Sequence, residues 1–207
     1  MEFNEARLLD NFGKLMQERI VHGTHTTEDA VRYMFFHTLV CAGYRPENIS
    51  LEEPLPDHPT RRLDTVVYDR SGHRQILVEF KFHRMKQAVQ PKPQLAGGLY
   101  RDLFRLAFAQ AKTGAKAFLV YITDRGMADY LEQPKHGCSE IFLLAEESSV
   151  DIGSRSLHGK SKTFSHALDG FLYPATVRCA YRREFSNGQQ LIIFSIKHLR
   201  AEVYEWD

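Results

Sequence analysis

The residues whose types and spacing could do chemistry are Asp64, Glu79 and Lys81. Residues 74–82, Arg-Gln-Ile-Leu-Val-Glu-Phe-Lys-Phe, read as a strand. Alternate side chains of a strand share a face, so Glu79 and Lys81 project together, about 6.7 Å apart along the chain. Residues 62–68, Arg-Leu-Asp-Thr-Val-Val-Tyr, are a second β-rich run, and Asp69-Arg70-Ser71-Gly72 reads as the turn between them. If Asp69 pairs with Arg74 across residues 70–73, counting back along the hairpin sets Asp64 opposite Glu79. Adjacent carboxylates repel unless positive charge offsets them. A divalent cation does this, and Mg²⁺ takes one or two carboxylates together with waters and phosphate oxygens. Lys81 beside them can hold or deprotonate a water and stabilise charge developing on phosphate. Such a set is equipped for metal-assisted phosphodiester hydrolysis. The plain alternative is a solvated hairpin carrying a cross-strand charged triplet. The apolar setting, Ile-Leu-Val-Glu-Phe-Lys-Phe, argues against it.

Directly downstream lies the densest basic stretch. Residues 81–92 hold Lys81, His83, Arg84, Lys86 and Lys92 and no acid. They are suited to gripping a phosphate backbone without reading sequence, or they form an ordinary solvated loop. The helix expected over 94–112 begins with Gln94, which either approaches the site or serves as an amide near the helix start. Arg101 and Arg105 share a face with Gln94 and Gly98 and either extend a phosphate track or are solvated. Gly97-Gly98 inside a helix costs roughly 1 kcal/mol per glycine relative to alanine, which close packing or close approach of substrate would explain.

These residues need a scaffold. Apolar residues at helical spacing predict a helix over 4–20, with Asn4 as cap, and a second helix opening at Thr26 with a capping box to Asp29 and ending at Gly43. Residues 45–61 hold four prolines and read as a short strand within a loop. Residues 116–122, Lys-Ala-Phe-Leu-Val-Tyr-Ile, have the near-continuous apolar character of a buried central strand. A short helix near 126–133, a strand near 140–145 and a long Ser-, Gly- and His-rich connection over 146–170 follow. Strands around Asn187-Gly188, a strong hairpin signal, close the chain, and an edge hairpin extending the sheet is the reading adopted for 176–206. Arg178, Arg182 and Arg183 there leave nucleic-acid recognition or a homodimer surface open. The class is α/β with a mixed sheet flanked by helices and a β-rich C-terminal extension. Residues 1–145 are expected to form the core, and 146–207 a connection and hairpin packed on it.

Leu63-Asp64 followed by Val78-Glu79-Phe80-Lys81 resembles the PD-(D/E)XK nuclease superfamily, the restriction-endonuclease-like fold. The element order from about 26 to 122 is similar to that family's core. The resemblance implies a nuclease in which Asp64 and Glu79 bind Mg²⁺ (Mn²⁺ able to substitute), the Phe80 carbonyl is a further metal ligand, and Lys81 assists the attacking water. Hydrolysis then leaves a 5′-phosphate and a 3′-hydroxyl. Many members carry a glutamate on the helix before the hairpin, and Glu28 occupies that place. An acid in a first helical turn also suits the macrodipole. The sequence departs from the family in having Leu63 where the namesake motif has proline. Gln94 and Tyr100 are six residues apart, so a Gln–Tyr pairing one turn apart, seen in several subfamilies, does not carry over.

Composition narrows the classes. The chain has 207 residues, 43% apolar and 26% charged, with net charge +1. That excludes a disordered or collagenous chain and a polycation coating nucleic acid, so any nucleic-acid site is a local patch. Three cysteines with no paired spacing argue against a disulfide framework or structural zinc, and no apolar run approaches 18 residues. The expectation is a cytoplasmic, membrane-free nuclease acting on DNA rather than RNA. The rivals are a non-catalytic nucleic-acid-binding module on the same fold and a protein-interaction subunit of a larger complex.

Overall fold

The computed structural model describes residues 4–84 and 89–199. It opens with two helices, α1 (Glu5–Val21) and α2 (Glu28–Cys41). Asn4 caps α1 by accepting from the Arg7 N–H, as its position predicts. The cap of α2 is Thr27, whose side chain accepts from the Ala30 N–H. Thr26, the expected cap, is instead buried, taking Arg19 Nε on its hydroxyl and donating to the Thr24 carbonyl.

Strands β1 (Ile49–Leu55), β2 (His58–Tyr68) and β3 (Arg74–His83) follow, so most of the proline-marked segment is strand rather than loop. Then come α3 (Lys92–Thr113), β4 (Lys116–Thr123), α4 (Arg125–Glu132), α5 (Ser139–Phe142), β5 (Ser149–Ile152), α6 (Lys162–Ala167), β6 (Ala175–Glu184) and β7 (Gln190–His198). Pro93 near the start of α3 and Gly114 at its end, with φ +70°, mark its limits.

The seven strands form one sheet in the order β1-β2-β3-β4-β7-β6-β5. Only β3 and β4, joined through α3, are parallel, and the other neighbours are antiparallel. The apolar run of β4 lies at the centre and is buried from Ala117 onward. The β6–β7 hairpin is interior rather than at the edge, because β5 pairs with β6 and takes the edge. The stretch expected as a strand near 140–145 is instead α5 and its flanks. The expected long connection, 146–170, contains β5 and α6.

Two apolar layers cover the sheet. On one face Leu8, Phe12, Met16, Val31 and Phe35 of α1 and α2 pack on Ile76, Val78 and Phe80 of β3. On the other, Leu99, Leu103 and Leu106 of α3 pack on Leu77 and on Leu119 and Tyr121 of β4. Strict alternation along β3 therefore sends Glu79 and Lys81 toward α3. Gly97 lets α6 sit directly on α3: a Cβ there would lie 2.3 Å from the Phe164 carbonyl oxygen. The three cysteines are free, Cys41 exposed and Cys138 and Cys179 buried. No helix among the described residues is long and apolar enough to cross a membrane.

Candidate active site

The hairpin register holds where the sequence set it. Thr65 pairs with Val78, Val66 with Leu77 and Val67 with Ile76. The turn differs, since Tyr68 rather than Asp69 pairs with Arg74, after a bulge. Asp69 instead closes the turn, its Oδ1 accepting from the Ser71 and His73 N–H groups. The β2–β3 ladder ends at Thr65 and Val78, one step short of Asp64 and Glu79, and the two strands separate there.

Beyond that point side chains take the place of the missing strand. Asp64 Oδ2 accepts from the Phe80 N–H at 2.7 Å, and Glu28 Oε2 from the Phe82 N–H at 3.0 Å. The N–H and C=O of a strand residue point to the same side, so the Phe80 carbonyl also faces this open edge, between the two carboxylates. Glu28 thus reaches from the first turn of α2 across to β3. Arg32, one turn further on, fixes Asp64 through its Oδ1 at 2.9 Å and also bonds Glu52 at 2.7 Å. Glu52 has φ +56°, in the left-handed region that side chains rarely adopt.

The α3 face supplies Asp102, which sequence reasoning missed, and gives Arg105 a place other than the one expected. Asp102 is fully buried, and its Oδ2 lies 3.2 Å from Lys81 Nζ. Arg105 stands 3.1 Å from Glu79 Oε1 and 3.2 Å from Asp102 Oδ1, and donates to the Arg62 carbonyl. Arg105 is therefore neither solvated nor part of a phosphate track. Glu79 Oε1 is buried and close to Arg105, yet accepts no aligned hydrogen bond, so this is a contact of charges rather than a formed bond.

Charge couples these groups. Burial, with Asp102 and Asp64 beside it, raises the Glu79 carboxyl well above its ordinary range, against Arg105 and Lys81. Burial also raises Glu28, and Asp64 adds to it, while Lys81, the Phe82 N–H and Arg32 oppose. For Lys81 burial works against the charge, but Asp102, Glu28, Glu79 and Asp64 outweigh it and hold the ammonium above its usual value. A charged ammonium offers three N–H donors and no acceptor, so Lys81 stands here as a hydrogen-bond donor.

The residues expected to grip phosphate are placed less uniformly. Burial and the Lys81 charge push His83 down to about 4, against Asp102 and Asp124, so its imidazole is neutral at pH 7 and offers phosphate no charge. Its Nδ1 sits 3.3 Å from the Tyr121 hydroxyl. Arg84 lies over the Phe82 ring, and Lys92 donates to the Gly126 carbonyl. Gln94 is half-buried in the first turn of α3, and Arg101 Nε contacts Asp102 Oδ1 at 3.3 Å. Lys86 lies outside the described residues.

Carboxylate oxygens and a strand-edge carbonyl are the donor types that hard divalent cations take, so the set fits Mg²⁺ in kind. Among the described residues no three Asp, Glu, His or Cys side chains are grouped as a metal cluster. Arg32 and Arg105 stand instead against Asp64 and Glu79.

Residues 27–129 match the family described as the Type I restriction enzyme R protein N terminus. The Type I R-protein likeness runs from the cap of α2 into α4 and holds every residue of the cluster, Asp102 and Arg105 included. It points to restriction-enzyme relatives, a nuclease-related role and interaction with DNA. No curated protein and no solved structure matches the chain.

Proposed function

We propose that the protein is a metal-dependent nuclease of the PD-(D/E)XK type that hydrolyses phosphodiester bonds in DNA. The observation that carries this reading is the convergence of Glu28, Asp64, Glu79 and Lys81, from α2, β2 and β3, on the stretch of β3 that β2 leaves unpaired. This convergence falls inside the segment similar to Type I restriction R proteins. Asp64 and Glu79 would hold Mg²⁺, or Mn²⁺ in its place, with Glu28 and the Phe80 carbonyl completing the donor set. Such a cation supplies an activated water near neutral pH and offsets charge on the phosphoryl oxygens. Lys81, kept charged by four carboxylates, orients the water and faces the oxygen on which charge grows. Asp102 places a charge behind the Lys81 ammonium, and Arg105 opposes the rise that burial and the acidic neighbours impose on Glu79.

The test is cleavage of supercoiled and linear DNA with Mg²⁺ or Mn²⁺. Lys81→Ala and Asp64→Asn are expected to lose about 100-fold or more, the scale of removing one transition-state donor. Wild-type rates in both would overturn the reading. A non-catalytic nucleic-acid-binding module has one observation in its favour: Arg32 and Arg105 already stand against Asp64 and Glu79, where a cation would sit. Calorimetry separates the two. Cation binding lost in Asp64→Asn and Glu79→Gln supports the nuclease, and DNA binding without cation binding supports the module.

A further inference from the structure

A cavity of about 600 Å³ lies at the far end of the β2–β3 hairpin from the candidate active site. Its walls are the first turns of α1, the α2–β1 connection and the hairpin turn, and each brings one arginine: Arg7, Arg45 and Arg70. Asp69 is the only acid among the described lining residues, and its Oδ1 is already taken by two backbone N–H groups. Arg45 has one exposed contact with Glu47 at 3.5 Å, and among the described residues Arg7 and Arg70 have no carboxylate partner. The chain carries a net charge of only +1, so three guanidiniums at one cavity are a local excess that an anion would relieve.

The helix ends add to this. The α2 carbonyls of Thr38, Leu39 and Val40 accept from the N–H groups of Ala42, Tyr44 and Gly43, so three acceptors at that end are already engaged. The start of α1 adds the positive end of a 17-residue helix. The volume exceeds what an inorganic anion needs and falls within the range for small-molecule sites. Tyr44 supplies an aromatic wall, and Asn11, Asn48 and Gln75 supply amides able to read a heterocycle's edge.

We propose that this cavity is a binding site for a free nucleoside phosphate, its phosphates held by Arg7 and Arg70 and its base against Tyr44. A concave site of this size does not admit a duplex, which separates it from the open strand edge at Asp64 and Phe80. The inference does not depend on the nuclease reading.

The experiment is calorimetric titration of the whole protein, without added divalent cation, using ATP, AMP, inorganic phosphate and a 5′-phosphorylated single-stranded oligonucleotide as probes. Saturable ATP binding is expected, weakened about tenfold or more by Arg7→Ala and by Arg70→Ala, and unchanged by Lys81→Ala. Both arginines are exposed, so circular dichroism should show wild-type folding in both variants. Absence of ATP and AMP binding at millimolar concentration would overturn the proposal, as would binding indifferent to both arginines. Phosphate binding as tightly as ATP would overturn the nucleoside assignment. An oligonucleotide that outcompetes ATP through the same arginines would move the site to nucleic acid ends.

Discussion

Replacing Arg105 with methionine keeps the volume of the side chain and removes its charge. The side chain is 11% exposed and faces Glu79 at 3.1 Å and Asp102 at 3.2 Å, themselves 2% and 0% exposed. Loss of one partner from such a buried set costs about 3–5 kcal/mol, because the remaining charges cannot recover water. For a chain of this length the urea dependence is near 3 kcal/mol per M, so the midpoint should fall by about 1–1.7 M at unchanged slope. The pH dependence is the sharper part. Glu79 already titrates above its ordinary 4.5, and removing Arg105 raises it further. A carboxyl raised in the folded state binds more protons folded than unfolded, so stability falls as pH rises through that window. The deficit of Arg105→Met should therefore be largest at pH 8 and narrow toward pH 5. A loss under about 1 kcal/mol, or a deficit that grows on acidification, would refute the reasoning that Arg105 opposes the protonation of Glu79.

Two further outcomes follow from local geometry. Gly97→Ala should cost about 1–3 kcal/mol, since its Cβ would meet the Phe164 carbonyl at 2.3 Å. Gly98→Ala, with open space at the same position one residue on, should gain about 0.5–1 kcal/mol, and thermal melts of the pair read both signs. The His83 imidazole, at about 4, should show no NMR titration between pH 5.5 and 8. Because it is depressed in the folded state, the stability linked to it is present above its unfolded value and lost as pH falls from about 6.5 toward 4.

The hairpin was legible because its two runs alternate and its turn residues are specific, and a slip of one residue would have turned Val66 and Leu77 out of the core. Pairing beyond Thr65 was not legible, since nothing in Arg-Arg-Leu-Asp says that the strands part there. Near 140 the run Ile-Phe-Leu-Leu is too short for its period to be told; Ile141 and Phe142 end a single helical turn, and Leu143 and Leu144 lie beyond it. Asp102 escaped, and Arg105 reads as solvated or as part of a phosphate track, because charges three apart on a helix usually face solvent. The signal was present, however. From Leu95 to Ala109 apolar residues occur on all sides of the helix, which marks it as buried throughout, and the few charges on such a helix must find partners. Those partners, Glu79 and Lys81, lie more than twenty residues away, and only the β3–α3 packing brings them together.

The way Asp64 and Glu28 cover the open edge of β3 has a consequence for handling the protein. A bare strand edge in the interior of a sheet is a template for pairing with another chain, and proteins commonly block such edges with inward-pointing charge. The two carboxylates serve as that block, satisfying the Phe80 and Phe82 N–H groups without offering a backbone to continue the ladder. Truncating both to alanine would expose two N–H donors and the Phe80 carbonyl beside the apolar run Ile-Leu-Val. Such a double variant should self-associate as well as lose any activity, confusing aggregation with inactivation. Asparagine and glutamine at these positions keep the acceptor oxygen and remove the charge, which makes them the informative replacements.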